Sequence, residues 1–209
     1  MAIIVIDDGS TDGTPRIAAA KSAEYDFVSA VTHNPNKGFA AALKTGMSAA
    51  LNRGYGAAIF MDCDQTHNPD DLPAFIAALD TGADVVIGSR YIGDGHMEDV
   101  PWHRVWISVA GNMVGNLVFR LPVRDASSGY RALSRRAMET MTPKQNDFSI
   151  QLEEVLLARK LGLSFAEIPI VLVNRKLGVS KFAFSVKVFW RYGMLLIRSL
   201  FWRKTRISR

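Results

Sequence analysis

The stretch FMDCDQTHNPDD, residues 60–71, sits directly after an apolar run. It closes the apolar run AAIFM (57–61) with two carboxylates, Asp62 and Asp64, and then passes through a polar segment to Asn68-Pro69. On an extended backbone residues i and i+2 point to one side, so both carboxylates address the same space while Cys63 points away. Two like charges so placed are unfavourable unless a cation or a ligand lies between them.

The run ahead of Asp62 is one of a series. AIIVI (2–6), FVSAV (27–31), AAIFM (57–61), DVVIG (84–88) and FAEIPIVLV (165–173) read as buried strands. Helical patterns separate them: one opened by a Thr14 cap with Pro15 at the first position, and others over 38–53 and 70–80. The alternation predicts an α/β fold with a largely parallel sheet flanked by helices. In such sheets ligands bind beyond the carboxyl ends of the strands. Asp7 and Asp8 follow the first strand and Asp62 and Asp64 the third, so two acidic clusters are expected to converge on one edge.

At 209 residues and 48% hydrophobic content the chain can bury a sizeable core. Its single cysteine, Cys63, excludes an internal disulfide and a cysteine-based zinc site, which suits a reducing compartment. The start, MAIIVIDDGS, lacks the basic segment of a secretory signal.

The net charge of +5 conceals an asymmetry: all 20 acidic residues lie at or before Glu167, whereas ten of the 25 Lys and Arg follow it. From Lys181 the tail interleaves those charges with Phe189, Trp190, Leu196, Leu200 and Phe201, and Lys187, Arg191 and Arg198 share roughly one helical face. That pattern predicts a basic amphipathic helix over 182–209 lying on an anionic membrane surface, attached to a body comprising 1–181. It is too interrupted by charge to span, which takes roughly 20 apolar residues. A solvated helix packed on its own domain is the plainer alternative. A nucleic-acid arm would carry more polar residues and fewer bulky aliphatics, so no nucleic-acid partner is expected.

Several chemistries place acids at strand ends. Neither the G-x-G-x-x-G of dinucleotide folds nor the G-x-x-x-x-G-K of a P-loop occurs. A phospho-receiver needs a lysine on a later strand, and none lies between Lys44 and Lys144. What remains is a divalent metal held with a nucleoside diphosphate, since D-x-D supplies hard oxygen donors to Mg²⁺ or Mn²⁺.

Further motifs occur in order: VIDDGSTDGT (5–14), NKGFAAALKTGM (36–47), MDCDQTHNPDDLP (61–73), GSRY (88–91), RDASSGYRALSR (124–135), EIPI (167–170) and NRKLGVSKF (174–182). Together they resemble family 2 glycosyltransferases of the GT-A fold, in particular polyprenyl-phosphate and dolichyl-phosphate mannose synthases. The resemblance implies an inverting, metal-dependent transfer of a hexose, mannose from GDP-mannose foremost, to a polyprenyl or dolichyl phosphate by a peripheral enzyme on the cytoplasmic face of a membrane.

The same resemblance distributes roles. Asp7, Asp8, Lys37, Gly38 and Asp62 would meet the nucleotide sugar, with Lys181 reaching a phosphate. Asp64 would hold the metal, with Thr66 where relatives carry Gln or Ser. Arg90, Arg104, Ser108 and Arg175 would hold the phosphates, and Ser128, Gly129 and Arg131 would shape the sugar or acceptor side. The acceptor is already anionic, so it needs positioning and charge neutralisation more than a strong base, and arginine suits it.

His67, His96 and His103 have no metal-binding spacing and read as loop or surface residues. The segment 102–119, with Trp102, Trp106, Val109, Met113, Leu117 and Phe119, fits either an interfacial element or a core helix. Relatives place one more strand and a helix before VIDDGS; without them two sheet neighbours would keep unpaired edges. A GT-A enzyme with another nucleotide sugar or a non-lipid acceptor, and a non-catalytic membrane-binding module, are the competing readings.

Overall fold

The computed structural model describes residues 1–175 and 186–202. The chain begins with two parallel strands, β1 (Ile3–Asp7) and β2 (Val28–Thr32), joined through helix α1 (Thr14–Glu24) and paired from Ile3↔Val28 to Asp7↔Thr32. Helix α2 (Phe39–Asn52) leads to β3 (Ala57–Phe60), and a 3₁₀ turn (Pro69–Asp71) leads into α3 (Leu72–Asp80). There follow β4 (Val85–Ser89), β5 (His96–Glu98), α4 (Trp102–Phe119), β6 (Arg131–Ser134), α5 (Arg135–Thr140), α6 (Ile150–Leu161), β7 (Phe165–Pro169), β8 (Val171–Val173) and α7 (Val186–Leu200).

The central sheet has the order β3-β6-β4-β7. β6 is antiparallel to both β3 and β4, and β7 is parallel to β4, so β3, β4 and β7 run the same way. Every residue of β4 is buried, because layers cover both faces of the sheet. Alternation sends Val85 and Ile87 into one core, with Leu133, Leu152 and Val155, and sends Val86 into the other, with Phe75, Tyr130 and Ile170. The arrangement is a mixed α/β GT-A-like fold with mostly parallel strand pairing.

Two local features differ from expectation. The first helix starts at Thr14 but is capped from Gly13, and Asp12 Oδ1 accepts the Thr14 N–H at 2.9 Å. The expected strand 165–173 divides in two: β7 pairs with β4, whereas β8 pairs with β5. Pro169 has no N–H to extend a ladder, and Ile170 carries the chain across, its N–H bound to Ser89 O and its carbonyl to His96 N. Gly95 makes this crossing possible, since a Cβ there would lie 2.5 Å from Ser89 O.

Among the described residues β1 pairs with β2 alone and β3 with β6 alone, so each keeps one unpaired edge. Helix α2 bridges them: a Cβ on its Gly46 would lie 3.3 Å from the Phe60 ring and 3.7 Å from Ile6. The Ala40, Leu43, Met47 and Ala50 face of α2 is buried, at the spacing of one helical stripe.

Candidate active site

The 61–69 loop leaves β3 and is fixed from beneath by a fully buried tyrosine. Tyr130 donates its hydroxyl to Asn68 O at 2.9 Å, stacks on the His67 ring at 4.7 Å and packs against Phe75. Burial pushes its phenol up to about 12, which keeps it a donor. His67 lies in a loop, as expected, but is 6% exposed, which corrects its reading as a surface residue. Its Nδ1 accepts the Asp62 N–H at 3.1 Å, and burial pushes the imidazole below its ordinary range against the pull of Asp62 and Asp64. His67 is therefore neutral, with its proton on Nε2. His96 and His103 are exposed, as expected.

The two carboxylates of the motif are unequal. Asp64 Oδ1 accepts from Thr66 N at 3.1 Å and Thr66 Oγ at 2.6 Å, while Oδ2 receives Arg175 Nη2. Burial alone would raise this carboxyl, but the Thr66 hydrogen bonds and the Arg175 guanidinium hold it below the usual range. Asp62 rises above its ordinary value because neighbouring groups desolvate it and Asp64 repels it, despite His67 and Arg175. Its edge nonetheless faces an open cleft of about 600 Å³, with Asp62, His67 and Asn68 on one wall and Glu98, Val171 and Val173 on the other. The Val173 N–H joins the walls by reaching Thr66 O at 3.3 Å.

Gly129 lies against the back of the cleft, where a Cβ would stand 2.9 Å from Gln151 Nε2 and 3.9 Å from Asp62 Oδ2. Its neighbours Ser128 and Arg131 lie deeper. Arg131 is wholly buried and donates to Ser128 O, to Gln151 O at 2.9 Å and to Glu154 at 2.8 Å. Ser128 is 5% exposed. These two side chains shape the cleft from behind, through the backbone of 128–129, and do not line it.

Arg90 follows β4 and points its fork inward. Nε and Nη2 meet the two oxygens of fully buried Asp125 at 2.7 Å each, and Nη2 also reaches Ser127 Oγ at 2.8 Å. Glu167 in turn accepts from Arg124 N and Asp125 N at 2.8 and 3.1 Å. On α4, Ser108 Oγ receives the Tyr91 hydroxyl at 2.6 Å, and Arg104 lies one turn earlier, half-buried. Asn112, which the sequence did not single out, ties α4 to this loop: it donates to Ser127 Oγ at 3.0 Å and accepts Ala126 N at 2.9 Å.

The first acidic pair forms a separate cluster, and among the described residues no hydrogen bond joins it to Asp62 or Asp64. Asp8 accepts Lys37 N and Gly38 N at 2.9 and 2.8 Å and pairs with His33 Nδ1 at 2.7 Å. Burial alone would raise this carboxyl, yet the bonds from His33, Lys37 and Gly38 hold it low. Gly38 takes φ +92°, a conformation glycine adopts without strain. Asp7 is 3% exposed; Oδ1 accepts Ser10 N, and Oδ2 has no protein partner among the described residues. A buried acceptor of that kind fits a ligand donor such as a nucleoside N–H or hydroxyl. Lys181 lies outside the described residues.

The donor pair of Asp64 carboxylate and Thr66 hydroxyl is all hard oxygen, which fits Mg²⁺ or Mn²⁺. Among the described residues no group of three or more His, Cys, Asp or Glu is arranged to hold a metal, so phosphate and water oxygens would complete the sphere.

The sequence profile of glycosyl transferase family 2 matches residues 1–142, and the chain belongs to that family of glycosyltransferases. A polyprenol monophosphomannose synthase from Mycolicibacterium smegmatis is 35% identical over 187 residues, spanning 88% of this chain and 71% of the relative. An undecaprenyl-phosphate mannosyltransferase from Micrococcus luteus is 34% identical over 182 residues, spanning 86% and 74%. A dolichol-phosphate mannosyltransferase from Pyrococcus furiosus is 31% identical over 204 residues, and there the match spans 96% of this chain but 55% of the relative. Among solved structures, glucosyl-3-phosphoglycerate synthase from Mycobacterium tuberculosis with Mn²⁺, uridine diphosphate and glucosyl-3-phosphoglycerate superposes with a TM-score of 0.64 at 21% identity, over 99% of this chain and 70% of that one.

Proposed function

We propose that the protein transfers mannose from GDP-mannose to a polyprenyl or dolichyl phosphate, with inversion and with Mg²⁺ or Mn²⁺ as cofactor. The observation that carries this reading is the Asp64–Arg175 pair, Asp64 lying between the cleft-lining Cys63 and Gln65 in the chain, which puts a candidate metal ligand and a candidate phosphate-binding cation in direct contact. The names of the relatives support a lipid phosphate as acceptor.

In this reading an acceptor phosphate oxygen forms the new bond to the anomeric carbon as the bond to the diphosphate breaks, and the diphosphate leaves with the electron pair. The acceptor is already deprotonated, so no base is needed. Arg104 and Arg175 offset its charge and orient it, with Ser108 on the same face of α4. Arg90 acts one layer back, holding the 124–128 loop through Asp125. His67 fixes the Asp62 backbone, and Asp7 and Asp8 order the nucleoside end. Asp64 and Thr66 would hold the metal, which when bound neutralises charge developing on the leaving diphosphate.

We further propose peripheral attachment to the cytoplasmic face of a membrane, with 1–181 as the transferase body and 182–209 as the attaching segment. Among the described residues no helix is long and apolar enough to cross a bilayer. On α4 the buried residues are Asn112 and Gly115, while Trp102, Trp106, Met113 and Leu117 are exposed, which favours an interfacial helix over a core one.

The test is transfer from labelled GDP-mannose to a short polyprenyl phosphate in detergent, with Mn²⁺ or with EDTA. Metal-dependent lipid product is expected. Full transfer by Asp64→Ala, or transfer to a water-soluble acceptor alone, would overturn the reading.

A further inference from the structure

Helix α7 has three distinct sides. At about 100° per residue, Tyr192, Leu195 and Ser199 fall together and pack on the body; Leu195 and Ser199 are buried, and the Tyr192 hydroxyl donates to Phe148 O at 3.0 Å. Opposite them lie Trp190, Ile197 and, just past the helix end, Phe201, which are 70%, 49% and 82% exposed. Between the two, on one flank, lie Arg191 and Arg198, seven residues apart and both exposed.

That flank is concave. A cavity of about 190 Å³ opens there, lined by Gln145, Trp190, Arg191, Met194, Leu195 and Arg198. Arg191 is anchored by Asp147, which sets its guanidinium at the rim. The loop bearing Gln145 is itself rigid, because Glu153 accepts both Lys144 N and Gln145 N, at 2.8 and 2.7 Å. The pocket thus offers Arg198, Arg191 with its charge partly offset by Asp147 at the rim, and a side-chain amide beside an exposed indole.

We propose that this pocket binds the phosphate of an anionic phospholipid headgroup in a bilayer, at a site separate from the catalytic cleft. Charge selects the ligand, since guanidinium forks match phosphate oxygens. The apolar side selects the setting, since Trp190, Ile197 and Phe201 would enter the headgroup–acyl boundary just where the arginines meet the phosphate layer. The proposal deepens the membrane attachment above by naming its headgroup chemistry and rests on that attachment.

The experiment is flotation of the full chain with phosphatidylglycerol-containing vesicles and with pure phosphatidylcholine vesicles, without nucleotide sugar. The wild type should prefer the anionic vesicles, and Arg198→Gln should weaken that binding about fivefold. Arg198→Lys keeps the charge but loses the fork, so it should also bind more weakly than wild type; the exposed Arg16→Gln on α1 should not. Equal binding of both vesicle types, or wild-type binding by Arg198→Gln, overturns the proposal. Full binding by Arg198→Lys overturns it too, because diffuse attraction would then suffice. Free glycerol phosphate that displaced the protein completely would assign the pocket to a soluble phosphate instead. Binding is read without turnover, so absent transferase activity would sink the proposed function and leave this test intact.

Discussion

Replacing Arg175 by Gln should make the metal bind more tightly while transfer falls. Asp64 Oδ1 already accepts two hydrogen bonds from Thr66, and Oδ2 is taken by Arg175, so a divalent cation entering there meets a guanidinium on the carboxylate it needs. Removing that cation removes the competition. The pair is partly open to solvent, with side chains 33% and 20% exposed, so its strength belongs near the upper end of surface pairs, about 1 kcal/mol. That energy corresponds to roughly fivefold tighter Mn²⁺ binding. Titration of free Mn²⁺ by its electron paramagnetic resonance signal, without nucleotide, measures it directly. Asp64→Asn should abolish the same binding. Unchanged or weaker Mn²⁺ binding by Arg175→Gln would refute the exchange.

Other outcomes follow from the packing. Glu154→Gln should lower stability by about 3 kcal/mol in urea denaturation, because it strands Arg131 in a site with no solvent access, whereas the double change Arg131→Met/Glu154→Leu should recover most of the loss. Gly95→Ala should destabilise by roughly 2 kcal/mol or more through contact with the Ser89 carbonyl, and Gly13→Ala, with open space around it, should be close to neutral by the same measurement. Asp8 has its folded pKa below its unfolded value, so its contribution is complete above about pH 4 and is lost as pH falls through the folded value. The stability gap between wild type and Asp8→Asn should therefore narrow as the pH falls below about 4 in chemical denaturation.

The parts of this molecule that were legible in sequence are those whose signal is local. β1, β2, β3 and β4 appear within a residue or so of their apolar runs, and the D-x-D motif announces its position by ending one of them. β6 was not legible as a strand: RALS reads as the end of a loop motif, and its place between β3 and β4 depends on pairing with Ala58 and Val86, far away in the chain. The break at Ile170 was hidden for a similar reason. Pro169 hints at it, but the switch of partners requires the Gly95 approach to Ser89. His67 looked like a loop residue because its inward direction is set by Tyr130, 63 positions later by their numbers. Asn112 sits in an apolar helix with no local reason to be functional, and its role exists only once Ser127 and Ala126 are brought beside it.

The arginines show how far residue type can mislead without burial. Arg90, Arg131 and Arg175 each stand in a family motif, and each is paired with a carboxylate: Asp125, Glu154 and Asp64. Side-chain exposure separates them, at 11% and 0% for the Arg90 pair, 0% and 0% for the Arg131 pair, and 33% and 20% for the Arg175 pair. Breaking a desolvated pair leaves a buried charge and costs about 3–5 kcal/mol, more than a phosphate arriving from water would return. Opening a partly solvated pair costs about 1 kcal/mol or less. Of the three, Arg175 thus has the carboxylate pair that opens at least cost, so in the proposed reading it is the one that would exchange Asp64 for a phosphate once a metal occupies that carboxylate. Arg90 and Arg131 do their part by staying where they are, holding the 124–131 loop in register behind Asp62.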